Sequence, residues 1–439
     1  MGSEYAYKKY LWINNVLNTI KSKFTQIKDE VKDPSYSLSD CLMSCVAMFG
    51  MKYSSLLKFD KDRTSEVIQE NIKNLYKVNN VPCDTTLRER LDLLEVADLQ
   101  PAFDKLISEL QRGKVLDNYK YIDDHYLIPI DGTGFFSSNK VHCKNCCEKH
   151  LKNGTITYHH DLLSVVIVSP QYKEVFPIGM EFIVKQDGNS KNDCELNAAK
   201  RLLKSMHNSH PHLKKRIVGD ALYANGNFIK SLKQYDMSYI LTIKDKHHKY
   251  LISEFQHSKI ETYDQTTNGI TFIYKYSNNV QLNDTHHDLL VNVVDYTEFN
   301  AKNEIIFHSI WITDVVLTND NIINIVKGAR SRWKIENETF NTLKNQGYNF
   351  EHNFGHGNHN LSNVMACLMM LAFLIDQIQQ HTSNYFAEAL KKQERKKYLY
   401  EKMFALFTTI IILDWEKFYR LLIEPLNTVT CDALLKNSS

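Results

Sequence analysis

The chain has 439 residues, 43% of them hydrophobic and 11% aromatic, which is enough apolar material for roughly two or three folded domains. Its formal net charge of +2 excludes a uniformly basic surface, so binding to a polyanion would depend on local patches such as 214–216, 244–249 and 391–397. The apolar stretches are too short to span a membrane and no signal-peptide pattern is seen, which predicts a soluble, cytoplasmic protein. The nine cysteines are scattered, so we expect no disulfide framework.

The first part of the chain is predicted to be helical, and the second to begin a sheet. Residues 1–120 carry apolar side chains at helical spacing, and Asp84 is placed to begin a helix. In 121–249 the runs YLIPIDGT, LLSVVIVSP and VFPIGMEFIVK predict three successive strands. Helix, strand, helix and strand follow, so the predicted order is βββαβαβ and the fold class is α/β.

The alternation stops after residue 249. Residues 250–312 hold three runs of strand type between turns rich in Asn and Asp, and we interpret them as a β-strand insertion. Helical spacing returns in 313–380, which we interpret as the rest of the core. A helical C-terminal region, 381–439, is predicted to follow.

Three acidic residues stand out against these predicted elements. Asp131 ends the strand YLIPID, Asp220 ends the strand RIVGD, and Glu336 lies in the helix RSRWKIENETFNTLK. Two adjacent strands and a later helix could bring these carboxylates together. Mg²⁺ prefers carboxylate oxygens, and two such ions about 4 Å apart can activate a water or a 3′-hydroxyl against a phosphodiester. Arg332 and Phe340 would share one helix face with Glu336, where the arginine could hold a phosphate.

Each acidic residue also has a purely structural interpretation. Asp131 could form a turn with the glycines after it, and Asp220 could cap the next helix. Glu336 could be the partner of Arg332 in an ordinary i, i+4 ion pair. The joint occurrence of the three at these positions favours the metal-site interpretation.

The ordered blocks DGTG, GDALYAN and RWKIENETFNTLK resemble those of bacterial insertion-sequence DDE transposases, in the subgroup with a Tyr-Arg-Glu-Lys signature. The resemblance extends over about residues 35–380 and includes PCDTTLRERLD, CKNCCEKHLKNGTITYHH, KNDCELNAAKRLL and EHNFGHGNHNLS. It implies an RNase-H-like mixed sheet flanked by helices, with the β insertion before the glutamate helix.

The resemblance also implies roles for individual residues. Asp131, Asp220 and Glu336 match the catalytic acids that bind two Mg²⁺ or Mn²⁺ ions, and Arg332 matches the signature arginine. The signature tyrosine would fall on Ala329, and the signature lysine on Leu343 beside Lys344. These are departures from the pattern. Arg330, Arg332 and Lys344 are the expected DNA-binding residues. Glu338 is an alternative to Glu336 if the helix register shifts.

The implied activity is cutting at the ends of an insertion sequence and joining them to target DNA. The expected partners are double-stranded DNA, as terminal inverted repeats and target, and a second copy of the chain, with no membrane; the expected location is the bacterial cytoplasm, at the nucleoid. Residues 1–120 are the region proposed to recognise DNA ends. The alternative is a DNA-binding protein derived from a transposase that has lost catalysis. The missing tyrosine favours that alternative, and the three intact acids favour an active enzyme.

A second candidate metal site lies in HCKNCCEKH. Cys143, Cys146 and His150 have the spacing C-x2-C-x3-H, and thiolate and imidazole suit a structural Zn²⁺. Cys147, His142, Cys194, His159 or His160 could complete the set of four ligands. One CxxC is only half of the usual zinc pattern, so free cysteines in a long loop are the competing interpretation.

Overall fold

The computed structural model describes residues 10–185 and 193–424 and divides into two compact units. The helical unit comprises Met1–Gly113 and Thr342–Ser439, and the sheet unit comprises Lys114–Asn341. One boundary between the units, after Asn341, therefore lies inside the segment 313–380, which the sequence predicts as one continuous part of the core. The parts of the predicted terminal regions at 1–9 and 425–439 lie outside the described residues.

The helical unit contains helices from both ends of the chain. Those before the sheet are Ile13–Phe24, Leu38–Gly50, Leu56–Asp62, Glu66–Tyr76, Asp84–Asp92 and Gln100–Arg112, with a 3₁₀ turn at Val96–Leu99; those after it are Asn341–Asn345 at the boundary, Leu361–Thr382, Asn384–Gln393, Lys396–Thr409 and Trp415–Ile423. The core of this unit forms around Leu361–Thr382, which packs on Leu38–Gly50, Asp84–Asp92 and Ile13–Phe24.

Among the described residues, Leu361–Thr382 is the helix that is long and apolar enough to cross a membrane, and 94% of its most apolar stretch is buried within the protein. It is longer than the apolar run seen in the sequence because polar residues at both ends also join the helix. Burial of this kind is consistent with the core helix of a soluble protein.

The start of this helix is stabilised by Asp92, which is 8% exposed. Its carboxylate accepts hydrogen bonds from the backbone N–H groups of Asn358 at 2.8 Å, His359 at 2.9 Å and Leu361 at 2.9 Å. Burial alone would raise the pKa of Asp92, but these N–H donors outweigh it and hold the pKa below its ordinary value. The carboxylate therefore satisfies N–H groups that have no partner within the helix.

We expect Asp92→Ala to lower the free energy of unfolding by about 2–3 kcal/mol, because several buried N–H groups would lose their acceptor. Urea denaturation near neutral pH measures the loss. Asp84→Ala, at a first-turn carboxylate of a more exposed helix, is the control and should cost less. Equal losses in the two variants would contradict the role assigned to Asp92.

In the described part of the sheet unit, the strands form one eleven-stranded mixed sheet. Its strands are β1 Lys120–Tyr121, β2 His125–Ser138, β3 Cys147–His150, β4 Ile156–Ile167, β5 Phe176–Ile183, β6 Lys215–Gly219, β7 Ser238–Ile243, β8 Glu261–Thr267, β9 Ile270–Gln281, β10 Leu290–Phe299 and β11 Ile305–Thr313; its helices are Glu195–Ser209, Gly226–Gln234, Lys249–His257 and Ile322–Arg330, with a 3₁₀ turn at Leu116–Tyr119 and a π-helical turn at Ile335–Phe340.

The strand order confirms the expected mixed α/β architecture, consistent with an RNase-H-like fold. Strands β5, β4 and β2 are antiparallel neighbours, and β2, β6 and β7 are parallel neighbours. The predicted insertion is present as the antiparallel strands β8 to β11, between Asp220 and Glu336. Because β11 pairs with β7, the insertion extends the main sheet rather than forming a separate one.

The predicted basic patch at 214–216 is wrong for two of its three residues. Lys215 and Arg216 are 3% and 2% exposed. The Lys215 ammonium donates to the His210 and Leu213 carbonyls at 2.5 and 3.1 Å. The β6 strand buries both side chains because it lies in the middle of the sheet. The patches at 244–249 and 391–397 are largely exposed.

Candidate active site

Asp131 and Asp220 lie on neighbouring parallel strands at matching positions. The β2–β6 ladder runs from Tyr126 opposite Lys215 to Pro129 opposite Val218. Two residues further along each strand come Asp131 and Asp220. Adjacent strands are about 4.8 Å apart, so this register sets the two acids side by side. Asp220 directly follows β6, as predicted, whereas β2 continues to Ser138, so Asp131 does not end its strand.

Glu336 reaches this site from the segment after the helix Ile322–Arg330. That helix ends at Arg330, and Arg332 lies in a turn, so the long continuous helix expected from the sequence is interrupted. Glu336 is in the π-helical turn Ile335–Phe340. A π-turn holds one residue more than an α-turn. The shared helix face predicted for Glu336 and Phe340 assumes α-helical spacing, so it does not apply to this turn.

Arg332 links the glutamate to the first aspartate. Its Nη1 donates to Glu336 Oε1 at 2.7 Å and to Asp131 Oδ2 at 3.1 Å. Glu336 thus has the predicted i, i+4 partner, and the same guanidinium extends the contact to β2. The side chains of Arg332 and Asp131 are only 17% and 21% exposed.

The electrostatic environment of Asp131 is unfavourable to its charged form. The pKa of Asp131 is raised to about 7, chiefly by burial and also by the nearby Glu336 carboxylate. Arg332 and the backbone N–H of Gly132 act in the opposite direction. The site therefore holds more negative charge than Arg332 alone compensates, a condition that a bound cation would relieve.

We expect Asp131→Asn to stabilise the metal-free protein above neutral pH. The folded pKa of Asp131, about 7, is above the ordinary value of about 3.9. Its protonation therefore contributes stability below about pH 4 that is lost as the pH rises through about 7. The variant cannot lose this contribution, so it should exceed wild type by about 1–2 kcal/mol at about pH 8 and match it near pH 4. Denaturation in EDTA at both pH values measures the difference, and a pH-independent difference would contradict the assignment.

Glu195 is a further carboxylate at this site that the sequence analysis did not identify. It is the first residue of the helix Glu195–Ser209, and it accepts a hydrogen bond from the Tyr223 hydroxyl at 2.5 Å. A side chain on Gly132 would come within 3.2 Å of the Glu195 carboxyl, and one on Gly134 within 3.1 Å of Asp161 Oδ1. The glycines of DGTG thus leave room for two more acids beside β2.

Burial and neighbouring acids act on Glu195 as they do on Asp131. Burial raises the pKa of Glu195, the Tyr223 hydroxyl lowers it, and Asp220 and Asp161 raise it. The signal that could have found it was the pair of glycines after Asp131 together with an acid opening the next helix.

The remaining predicted residues have other partners. Glu338 interacts with Lys334 rather than with Arg332, which favours Glu336 as the acid of the site. Arg330 pairs with Glu298 of β10 and lies over the Phe307 ring at 4.6 Å. In the helical unit, Lys344 pairs with Glu351 at 2.8 Å. Ala329 and Leu343, which replace the signature tyrosine and lysine, are buried.

The loop between β2 and β3 brings two cysteines close to a histidine, but the histidine is not the one chosen from spacing. Cys143 Sγ and Cys146 Sγ are 3.9 Å apart, and His160 Nε2 lies 3.4 and 3.3 Å from them. His150 is on β3 with its side chain 69% exposed, near Glu148. The prediction of His150 is corrected to His160, because β3 begins at Cys147 and carries His150 away at about 3.3 Å per residue.

Comparison with known proteins adds one finding. Residues 175–374 match the family model described as Transposase DDE domain. The matched segment contains Asp220, Glu195 and Glu336, and Asp131 precedes it. No curated protein matches the chain. The match covers just under half of the chain and supports a DDE transposase family for this protein, with a transposase function in general terms.

Proposed function

We propose that the protein is a metal-dependent DNA transposase that cuts at the ends of an insertion sequence and joins those ends to target DNA. The observation that carries the proposal is the convergence of Asp131, Asp220 and Glu336, from two parallel strands and a later helical turn. The similarity of residues 175–374 to a transposase DDE domain supports it. The Tyr-Arg-Glu-Lys subgroup and a bacterial insertion sequence as the source are part of the proposal.

The donor set fits Mg²⁺ or Mn²⁺. Asp131, Asp220, Glu336 and Glu195 supply hard carboxylate oxygens, which these ions prefer. Burial, with a smaller effect of neighbouring acids, raises the pKa values of Asp131 and Glu195, so a bound cation would stabilise their charged forms. When bound, two such ions would supply Lewis-acid stabilisation and lower the pKa of a water or hydroxyl nucleophile.

The chain's own residues would position the reacting strand. Asp131 lies on β2 and Asp220 directly follows the neighbouring parallel strand β6, so the strand pairing sets the spacing of their backbones. Arg332 now pairs with Asp131 and Glu336, and its guanidinium would turn to a backbone phosphate. Arg330 and Lys344 are proposed to contact phosphates further along the DNA. In each case a phosphate would replace the carboxylate with which the side chain now pairs. A homodimer would present two such sites to two DNA ends.

The test is an assay of the purified full chain with duplexes that carry the inverted repeats flanking its gene, Mg²⁺ and a target plasmid. We expect strand cleavage at the repeat ends followed by joining to the plasmid. Binding without cleavage would contradict catalysis and leave a transposase-derived DNA-binding protein. Cleavage without joining would contradict strand transfer and leave a nuclease.

A further inference from the structure

A cluster of soft ligands lies outside the carboxylate site, in the sheet unit. Cys143 and Cys146 come from the loop between β2 and β3, and His160 comes from β4. Cys146 and His160 are 0% and 1% exposed. The ligand atoms of these two thiols and the imidazole all lie within 4.8 Å of one another. Hydrogen bonds between neutral side chains do not require three such atoms to be this close together.

The separations within the cluster agree with those around a tetrahedral zinc ion. Zn–S and Zn–N bonds of about 2.3 and 2.05 Å imply S···S and S···N separations of about 3.8 and 3.6 Å. The structure has 3.9 Å between the sulfurs and 3.4 and 3.3 Å from the sulfurs to His160 Nε2. We infer that Cys143, Cys146 and His160 supply three of the four ligands of a structural Zn²⁺ ion.

The surrounding groups hold these ligands in place. The Cys143 backbone N–H donates to Cys146 Sγ at 3.4 Å, and the Cys146 N–H donates to the Cys143 carbonyl at 3.2 Å. The His160 ring stacks on Phe135, with centroids 5.6 Å apart, and contacts Phe136 at 5.9 Å. An N–H donor beside a sulfur stabilises the thiolate that zinc requires, and the aromatic contacts restrict rotation of the imidazole.

Neighbouring cysteine and histidine side chains have other partners. Cys147 Sγ lies 3.4 Å from the Ile183 carbonyl, and His159 Nε2 lies 3.2 Å from Asp161. His142 stacks on Tyr158 with centroids 4.2 Å apart. Among the histidines of this segment, His160 is therefore the one that we assign to the cysteines. The neighbouring residues serve as controls in tests of zinc binding.

The ion would connect the loop that follows β2 with strand β4. His160 is opposite Phe136 in the β2–β4 register, and Asp131 is opposite Ser164 on the same pair of strands. A Zn²⁺ ion that binds the folded chain more tightly than the unfolded chain stabilises the folded state by mass action. The zinc would therefore support the strand that carries Asp131 without entering the proposed reaction.

Zinc content of the full chain, purified under reducing conditions without chelator, tests the inference. We expect about one zinc per chain by mass spectrometry of the metal, and X-ray absorption with sulfur at about 2.3 Å and nitrogen at about 2.0 Å. Cys143→Ser, Cys146→Ser and His160→Asn should each reduce the bound zinc at least about fivefold. His150→Asn and Cys147→Ser should leave it unchanged.

A second measurement remains informative if a cluster variant fails to fold. Wild-type protein stripped of metal and titrated with Co²⁺ should show thiolate-to-cobalt charge transfer and tetrahedral d–d absorption, both lost on addition of Zn²⁺. Wild type that folds without zinc and gives no such spectrum overturns the inference. So does loss of zinc in His150→Asn equal to that in His160→Asn. Because the readout is bound metal, it is independent of DNA cleavage.

Discussion

Replacing any one of the three converging acids with its amide should reduce DNA cleavage by a factor on the order of 10³ or more, equivalent to about 4 kcal/mol of transition-state stabilisation. Asp131→Asn, Asp220→Asn and Glu336→Gln keep the size of each side chain and remove its charge. The loss should fall on the rate of cleavage, while affinity for the inverted-repeat duplex stays the same or increases, since negative charge near DNA phosphates is removed.

Glu338→Gln is the matched control, because Glu338 lies two residues from Glu336 and interacts with Lys334 instead. Its cleavage rate should stay close to that of wild type. An equal loss in Glu338→Gln would contradict the choice of Glu336. A sharper test of metal contact is Asp220→Cys, which should cut poorly with Mg²⁺ and recover in part with the softer Mn²⁺. Failure to recover any activity would weaken the assignment of Asp220 as a ligand.

The second large effect is expected in the helical unit, where a lysine is buried against an aspartate. Lys52 Nζ lies 2.6 Å from Asp376 Oδ2, and the two side chains are 4% and 12% exposed. The ammonium also lies 4.1 Å from the centre of the Tyr348 ring and 4.3 Å from that of Tyr400. Burial lowers the pKa of Lys52, and the Asp376 charge partly restores it. Each charge is tolerated in this core because the other is present.

Lys52→Met should lower the stability of the protein by about 3–5 kcal/mol, because it leaves the Asp376 carboxylate buried without its counter-charge. The corresponding fall in Tm is roughly 10 °C, measurable by calorimetry. Lys52→Met with Asp376→Leu should be considerably more stable than Lys52→Met alone, since neither charge remains.

The control for this pair is Lys28→Met. Lys28 Nζ lies at a similar distance, 2.7 Å, from Glu30 Oε1, but the two side chains are 82% and 63% exposed, and water already screens such a pair. Its Tm should match that of wild type. A similar fall in both lysine variants would show that burial of the Lys52 pair does not determine its contribution.

Much of the site was accessible from local patterns. An acid after an apolar strand, an arginine four residues before a glutamate, and a cysteine pair are each short-range features, so the sequence is sufficient to propose Asp131, Asp220, Arg332 and Glu336 as candidates. The strand order βββαβαβ and the β insertion were predicted for the same reason, since hydrophobic periodicity is a local property.

Other features depended on contacts between distant residues. Glu195 was missed because a glutamate that opens a helix is usually exposed, and only the space left by Gly132 and Gly134 shows why it lies beside β2. The π-helical turn at Ile335–Phe340 was missed because an α-helical repeat was assumed throughout. The basic run at 214–216 predicts a surface patch, but the sheet buries Lys215 and Arg216.

By itself, the sequence therefore determined which residue types were available and in which elements they lie, because backbone propensity and apolar spacing act over a few residues. Tertiary structure alone decided which of them meet. The β2–β6 register placed two aspartates side by side, and the β2–β4 pairing brought His160 rather than His150 to the cysteines. Such pairings reflect the burial of whole strands, a free energy summed over the unit that no short segment contains.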